Sequence, residues 1–193
     1  PEPCATGQIR YRAPLVSKGV RQVDQAVDKI AEALRSAMQA ENEGYYFYVM
    51  AARNTEDPKG KQVFQYMADE EMKHFNFLKH QYGVFLKTGK GDGSVKIKFE
   101  PRTEEEHPIF SPELKKRIGD AHYEMTALSI GIQLEQTAVM HYKAAAKDVG
   151  DDLVMRAFFE DLADWEQEHL DLLQKQADML KDDYWNMGGF SPF

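Results

Sequence analysis

Residues 64–82 read FQYMADEEMKHFNFLKHQY, an apolar helical stripe that polar residues interrupt twice. Its apolar members recur at helical spacing: Phe64, Met67, Leu78 and Tyr82. At two positions where this spacing would place an apolar residue, the sequence has Glu71 and His74 instead. Residues three apart lie on one side of a helix, so both belong to the apolar face. The segment predicts an amphipathic helix that buries a carboxylate and an imidazole.

Three other segments show the same interrupted pattern. Their apolar members are Leu34, Met38, Tyr45, Tyr48 and Ala52; then Met125, Leu128, Ile132, Val139, Tyr142 and Ala146; then Met155, Phe159, Leu162, Leu173 and Leu180. The interruptions fall at Glu41 in the first, at Glu135 in the second, and at Glu166 and His169 in the third. We therefore predict four amphipathic helices. Each carries a glutamate at mid-length on its buried face, and two of them carry a histidine beside it.

The breaks between the segments predict the topology. Short breaks at 55–58 and 149–152 indicate two antiparallel helix hairpins, whereas residues 87–112 form a long connection rich in Gly, Pro and charge. At about 3.3 Å per residue this connection can reach more than about 80 Å, well beyond the length of one helix. The predicted fold class is all-α, a four-helix bundle with a long crossover between the second and third helices.

The second half of the chain repeats the first. A shift of 94 residues matches these pairs: Glu41 with Glu135, Tyr48 with Tyr142, and Asp57 with Asp151. A shift of 95 matches the following helices: Phe64 with Phe159, Glu71 with Glu166, and His74 with His169. Two hairpins related by a pseudo-twofold axis would bring the matched polar residues face to face.

The polar residues on the apolar faces suit a pair of metal ions. They are Glu41, Glu71, His74, Glu135, Glu166 and His169. Four carboxylates balance the charge of two divalent ions, and two neutral imidazoles complete the ligand set. Without metal, four buried carboxylates would each cost several kcal/mol, and no position on the apolar faces offers Lys or Arg. A dimetal site is therefore favoured over a buried salt-bridge network.

The Glu-x-x-His spacing alone is weak support for a metal site. Glu104 and His107 have the same spacing, but they precede Pro108 in a polar connection without an apolar stripe. We predict that this third pair is solvated and binds no metal. The other two pairs differ because each lies on an apolar face.

Two tyrosines lie two turns beyond a predicted ligand. Tyr48 follows Glu41, and Tyr142 follows Glu135, so their hydroxyls are candidates to hydrogen-bond the ligand carboxylates. We take both as candidate catalytic residues. The alternative is an aromatic core whose hydroxyls are satisfied elsewhere.

Composition limits the partners and the compartment. The 193 residues carry 24 basic and 32 acidic side chains, a net charge of -8 that disfavours nucleic acid and anionic membranes as partners. Cys4 is the single cysteine, which excludes an internal disulfide and fits a reducing compartment, so we expect a cytoplasmic location. We expect an N-terminal extension at 1–22, the bundle at 23–181 and an aromatic tail at 182–193.

Three motifs of the first two predicted helices resemble those of a known family. The run Glu41-Asn42-Glu43-Gly44-Tyr45-Tyr46-Phe47-Tyr48, then Asp57-Pro58, then Glu70-Glu71-Met72-Lys73-His74, is similar to the first hairpin of the rubrerythrin-like branch of the ferritin-like superfamily. The resemblance spans about residues 23–181. It implies a ferritin-like bundle with two iron ions on the six residues above, although manganese and zinc accept similar ligands. It also implies reaction with hydrogen peroxide or dioxygen.

The chain departs from rubrerythrins proper in two respects. Ile132 and Ala138 stand where those proteins carry an extra glutamate, one turn from the third-helix ligand. Cys4 alone cannot build the paired-cysteine rubredoxin domain, so we expect an external electron donor protein. Two alternatives to a peroxide-reducing enzyme stay open: an iron-binding or ferroxidase-type protein without a turnover cycle, and an oxygenase with an apolar pocket that reaches the metals. The crossover and the aromatic tail favour a homodimer.

Overall fold

The computed structural model describes residues 18–95, 111 and 122–187, with side chains from 27 to 182 in those ranges. These residues form four helices and no strand: α1 Lys18–Asn54, α2 Pro58–Thr88, α3 His122–Asp148 and α4 Leu153–Met187. The all-α bundle with a long connection between the second and third helices is thereby confirmed. The described helices are 27 to 37 residues long, yet none carries a stretch apolar enough to span a membrane.

The helices pack as two antiparallel hairpins. Helix α1 packs along α2, helix α3 packs along α4, and α1 also contacts α3. All four helices contribute to each of two apolar clusters. The first contains Tyr48, Phe64, Leu128 and Leu173, and the second contains Leu34, Leu78, Tyr142 and Leu162. The glutamates at mid-length lie between these positions on every helix, so the two apolar clusters enclose a polar layer.

Aspartates begin the second helix of each hairpin. Asp57 caps α2 by accepting from the backbone N–H groups of Lys59 and Gly60. In the second hairpin it is Asp152 that accepts from the N–H groups at the start of α4, at 3.0 to 3.1 Å. The match of Asp57 with Asp151 was therefore wrong by one residue, because the 95-residue shift already applies at this turn.

Asp57 also fixes one point of the crossover. Its carboxylate accepts hydrogen bonds from the backbone N–H and the hydroxyl of Ser111, and both residues are buried. The chain that leaves α2 at Thr88 therefore returns to the opposite end of that helix before α3 begins. This contact links the crossover to the turn between α1 and α2.

Both outer helices extend past the predicted limits of the bundle. Helix α1 begins at Lys18 rather than at 23, and α4 continues to Met187 rather than ending at 181. Helical apolar spacing continues at both ends, through Val20 in α1 and Tyr184 in α4, which explains the extra turns. The rest of the predicted N-terminal extension and aromatic tail lies outside the described residues.

Most of the predicted crossover, 87–112, also lies outside the described residues. That region includes the pair Glu104 and His107. Their expected solvation therefore stays a prediction.

Replacement of Asp57 tests the role of this cap. We expect Asp57→Ala to lower the free energy of unfolding by about 1–3 kcal/mol, because two helix N–H groups and Ser111 lose their acceptor. Asp151 is exposed and lies next to the other cap, Asp152, so Asp151→Ala should change the free energy of unfolding by less than about 0.5 kcal/mol. Urea unfolding of both variants measures the difference, and equal losses would contradict the assignment.

Candidate metal centre

The structure brings all six predicted ligands together in the polar layer. Helix α1 supplies Glu41 and α3 supplies Glu135. Helix α2 supplies Glu71 and His74, and α4 supplies Glu166 and His169. Each side chain is at most 5% exposed. The helical periodicity that buries the apolar residues also buries these, because they occupy steps of the same stripes.

The donor atoms form two overlapping groups of four. One group contains Glu41, Glu71, His74 and Glu166, and the other contains Glu71, Glu135, Glu166 and His169. Within each group the donor atoms lie within 4.8 Å of one another. Glu71 and Glu166 belong to both groups, so these two carboxylates stand where they can bridge two ions. The remaining Glu and His of each group can complete one ion each.

The two histidines aim the same nitrogen at the carboxylates. Nδ1 of His74 lies 2.8 Å from Oε1 of Glu166 and 3.2 Å from Oε2 of Glu41. Nδ1 of His169 lies 3.3 Å from Oε2 of Glu166 and 3.8 Å from Oε2 of Glu135. Glu166 therefore lies between the two imidazoles, whose rings are stacked with centroids 5.3 Å apart.

The two tyrosines hydrogen-bond across the bundle. The hydroxyl of Tyr48 on α1 donates to Glu135 on α3, and the hydroxyl of Tyr142 on α3 donates to Glu41 on α1. The 94-residue repeat relates the two hydrogen bonds to each other, because it matches the two tyrosines and the two glutamates. Each tyrosine ring stacks on the matched phenylalanine, with centroids 6.4 Å apart for Phe64 and 6.2 Å apart for Phe159. The reciprocal bonds and stacks are the contacts expected from a pseudo-twofold arrangement.

Gly44 makes room for one of the shared carboxylates. A Cβ atom at this position would lie 3.1 Å from both Cδ and Oε2 of Glu71. The absence of a side chain on α1 therefore lets the Glu71 carboxylate lie against the backbone of that helix. Periodicity in the sequence gives no sign of this role for Gly44, since a lone glycine within a helix has no periodic signature.

Burial and mutual repulsion set the protonation of the carboxyls. Burial raises the pKa of Glu71 well above its usual range, and the charges of Glu41, Glu135 and Glu166 raise it further. Burial raises the pKa of Glu135 too, with Glu166 adding to the effect. Burial acts in the same direction on Glu41, but the charge and hydrogen bond of His74 outweigh it and lower that pKa. Without metal, Glu71 and Glu135 therefore hold their protons more tightly than a free carboxyl group does.

The histidines and tyrosines respond in different ways. Burial opposes the charged form of His74, but Glu166 and Glu41 raise its pKa well above the usual value. Burial lowers the pKa of His169 to about 4, so this imidazole is neutral. Burial and the nearby carboxylates raise the pKa values of both tyrosines, which keeps each hydroxyl a donor.

The chemistry of the cluster fits metal ions. No lysine or arginine of the described residues forms an ion pair with the four carboxylates, and Lys73 pairs with Glu70 instead. Nε2 of His74 and of His169 is buried without a hydrogen-bond partner among the described residues, so neither ring is fixed by that nitrogen. Two divalent ions would neutralise the four carboxylates and use the Nδ1 atoms that already face them.

Residues around the cluster include two aromatic contacts and one histidine that the sequence did not identify. The Trp165 ring packs edge-on against His74 with centroids 4.4 Å apart, and the Tyr66 ring packs against His169 at 6.5 Å. His141 is half-buried beside the cluster. His80 is exposed and pairs with Asp92.

Comparison with known proteins gives one result. The sequence model of the family described as Rubrerythrin matches residues 32–177, which include all six residues of the cluster and both tyrosines. No curated protein and no solved structure matches the chain.

Replacement of Gly44 tests the close approach of Glu71. Gly44→Ala should weaken binding of Mn²⁺ by about tenfold or more, because the new Cβ displaces a carboxylate shared by both donor groups. The matched control is Gly83→Ala in α2, where a Cβ meets nothing within 4 Å. Isothermal titration calorimetry measures both affinities. Equal affinities in the two variants would show that Gly44 does not position Glu71.

Metal binding should release protons. In the metal-free protein the pKa values of Glu71, Glu135 and His74 are raised, so each group binds its proton more tightly than usual and a metal must compete with that proton, whereas the His169 imidazole is already neutral. The affinity for Mn²⁺ should therefore rise as the pH is raised. Titrations in buffers of different ionisation enthalpy measure the proton count, and a count of zero would contradict these protonation states.

Proposed function

The chain belongs to the rubrerythrin family of ferritin-like di-iron proteins, and on that premise we propose that it is a non-haem di-iron oxidoreductase. In this proposal it reduces hydrogen peroxide or dioxygen with electrons from an external donor. The observation that carries it is the pair of overlapping donor groups with Glu71 and Glu166 in common. Two adjacent metal sites can together supply the two electrons that peroxide reduction requires.

Each residue of the cluster has a proposed role. Glu41 and His74 would hold one ion, Glu135 and His169 would hold the other, and Glu71 and Glu166 would contribute to both. When bound, the ions would supply the redox electrons and polarise the oxygen substrate. Tyr48 and Tyr142 act as positioning residues, because the hydroxyl of each donates a hydrogen bond to a carboxylate that would hold one ion.

Iron is the metal we propose. Zinc has no accessible second oxidation state, so the proposed reaction excludes it as the working metal. Manganese accepts the same oxygen and nitrogen ligands, and elemental analysis of protein purified with both metals supplied distinguishes the two.

The electrons need a donor outside these 193 residues. Their single cysteine, Cys4, cannot form a four-cysteine iron site like that of a rubredoxin. We therefore propose a small electron-carrier protein and its reductase as partners. A cytoplasmic location and a homodimer are parts of the same proposal, supported by the single cysteine and by the long crossover.

The two alternative functions predict different products. An iron-storage or ferroxidase-type protein would oxidise iron once and then stop. An oxygenase would insert oxygen into an organic compound and would consume dioxygen in proportion to that product. Only the oxidoreductase would continue to consume peroxide while reductant lasts.

Steady-state peroxide consumption tests the proposal. Iron-loaded protein with NADH alone should be inactive, and addition of a reductase and a small iron–sulfur carrier should give sustained turnover. His169→Ala should lower the rate by at least about tenfold through loss of a ligand, whereas His80→Ala, an exposed histidine that pairs with Asp92, should leave it unchanged. A single burst of iron oxidation without further consumption of peroxide would favour the ferroxidase alternative.

A further inference from the structure

A cavity of about 270 Å³ leads from the surface to the cluster. Its outer part is lined by exposed side chains of α1 and α3: Ser36, Glu43 and Thr137. Its inner part is lined by three buried carboxylates of the cluster: Glu41, Glu71 and Glu135. The cavity is therefore a path by which a small molecule can reach the acidic side of the polar layer.

The cavity approaches the cluster from one side. Neither histidine of the cluster lines it, and neither does Glu166. A molecule that enters between α1 and α3 meets carboxylates of both donor groups, one from each group and one that the groups share. The two proposed ions would thus be accessible together from this direction.

The cavity is much larger than hydrogen peroxide requires. Each water in the liquid occupies about 30 Å³, so a molecule with two oxygen atoms needs on the order of 60 Å³. A dry apolar cavity of about 150 Å³ already accommodates benzene. The remaining space is bordered by Ala40, Leu134 and Ala138, which offer apolar surface, and by the half-buried His141. This combination favours a ligand with one polar end and a small organic group.

We infer that the cavity binds small organic hydroperoxides, ROOH, with the peroxide end at the three carboxylates and the organic group against Ala40, Leu134 and Ala138. The inference rests on the proposed function and names its substrate class. The hydroperoxide O–H can donate to a carboxylate, whereas a hydrocarbon would cover these carboxylates without a hydrogen bond. A polar end is therefore required by the floor of the cavity.

The reaction balances with the donor already proposed. The O–O bond of ROOH breaks, two electrons arrive from the external carrier protein, and two protons are taken up. The products are the alcohol ROH and water. No other co-reactant is needed.

Ala138 determines how much space the organic group has. It is half-buried and lines the cavity, and it is not one of the six residues of the cluster. Under the 94-residue repeat it matches Gly44, where a Cβ atom would lie 3.1 Å from the Glu71 carboxyl group. A leucine at 138 would fill the apolar part of the cavity and leave the ligands in place. Ala40, an exposed residue on the α1 side of the cavity, offers a second position for the same change.

Two measurements test the inference with tert-butyl hydroperoxide as the probe. The first is the ratio of KM values for this probe and for hydrogen peroxide in the full, iron-loaded chain. We expect Ala138→Leu and Ala40→Leu each to raise KM for the probe by about tenfold more than they raise KM for hydrogen peroxide, because the larger molecule needs the space that leucine fills. The matched control is Ala144→Leu, the same change at an exposed position of α3, which should alter neither value.

The second measurement does not depend on activity. Ligand-observed NMR should detect binding of tert-butanol, the product alcohol, to the full chain and to Ala144→Leu, and should lose that signal in Ala138→Leu. Reduction of hydrogen peroxide without reduction of the probe would overturn the inference and leave the proposed function intact. Equal losses for both peroxides in Ala138→Leu, or oxygen insertion into the organic group, would also overturn it. If neither peroxide is consumed the proposed function fails, and absence of alcohol binding would then reject the cavity independently.

Discussion

Four carboxylates lie in the interior of one helical bundle, and their burial is the constraint that the surrounding structure satisfies. No lysine or arginine of the described residues pairs with them, so compensation comes from protons, imidazoles and phenol hydroxyls. Raised pKa values of Glu71 and Glu135 show this compensation in the metal-free protein. Apolar clusters above and below the polar layer keep the four helices in contact, which holds the carboxylates together despite their repulsion. Two divalent ions remove the same repulsion without protons.

The repeat of the two hairpins explains why each hairpin supplies the same set of residues to the site. Each hairpin supplies one Glu-x-x-His pair and one further glutamate, and each supplies the tyrosine that holds the other hairpin's glutamate. The two halves are not identical. His74 has a raised pKa and His169 a lowered one, because His74 lies closer to two carboxylates. Gly44 and Ala138 also differ, and both border the cavity that reaches the cluster. The cavity thus lies on the side of the polar layer where the two matched positions, Gly44 and Ala138, carry different residues.

Helical periodicity accounts for most of what the sequence could predict. Glu71 and His74 were recognisable because they occupy apolar steps of a long stripe, and the repeat located Glu166 and His169 in the same way. The position of Gly44 was not recognisable, because its importance arises from a contact with another helix. The cavity was not predictable either, since empty space depends on side chains of three helices at once. The one-residue error at Asp152 came from the change of shift between 94 and 95, which the sequence locates only to within a turn.

We propose that two metal ions share Glu71 and Glu166. Anomalous diffraction at the iron edge, from crystals of iron-loaded protein, can locate such ions. We expect two peaks about 3.5–4 Å apart, each in contact with both shared glutamates and with one of the two histidines. A single peak, no peak, or two peaks with no glutamate in common would contradict it.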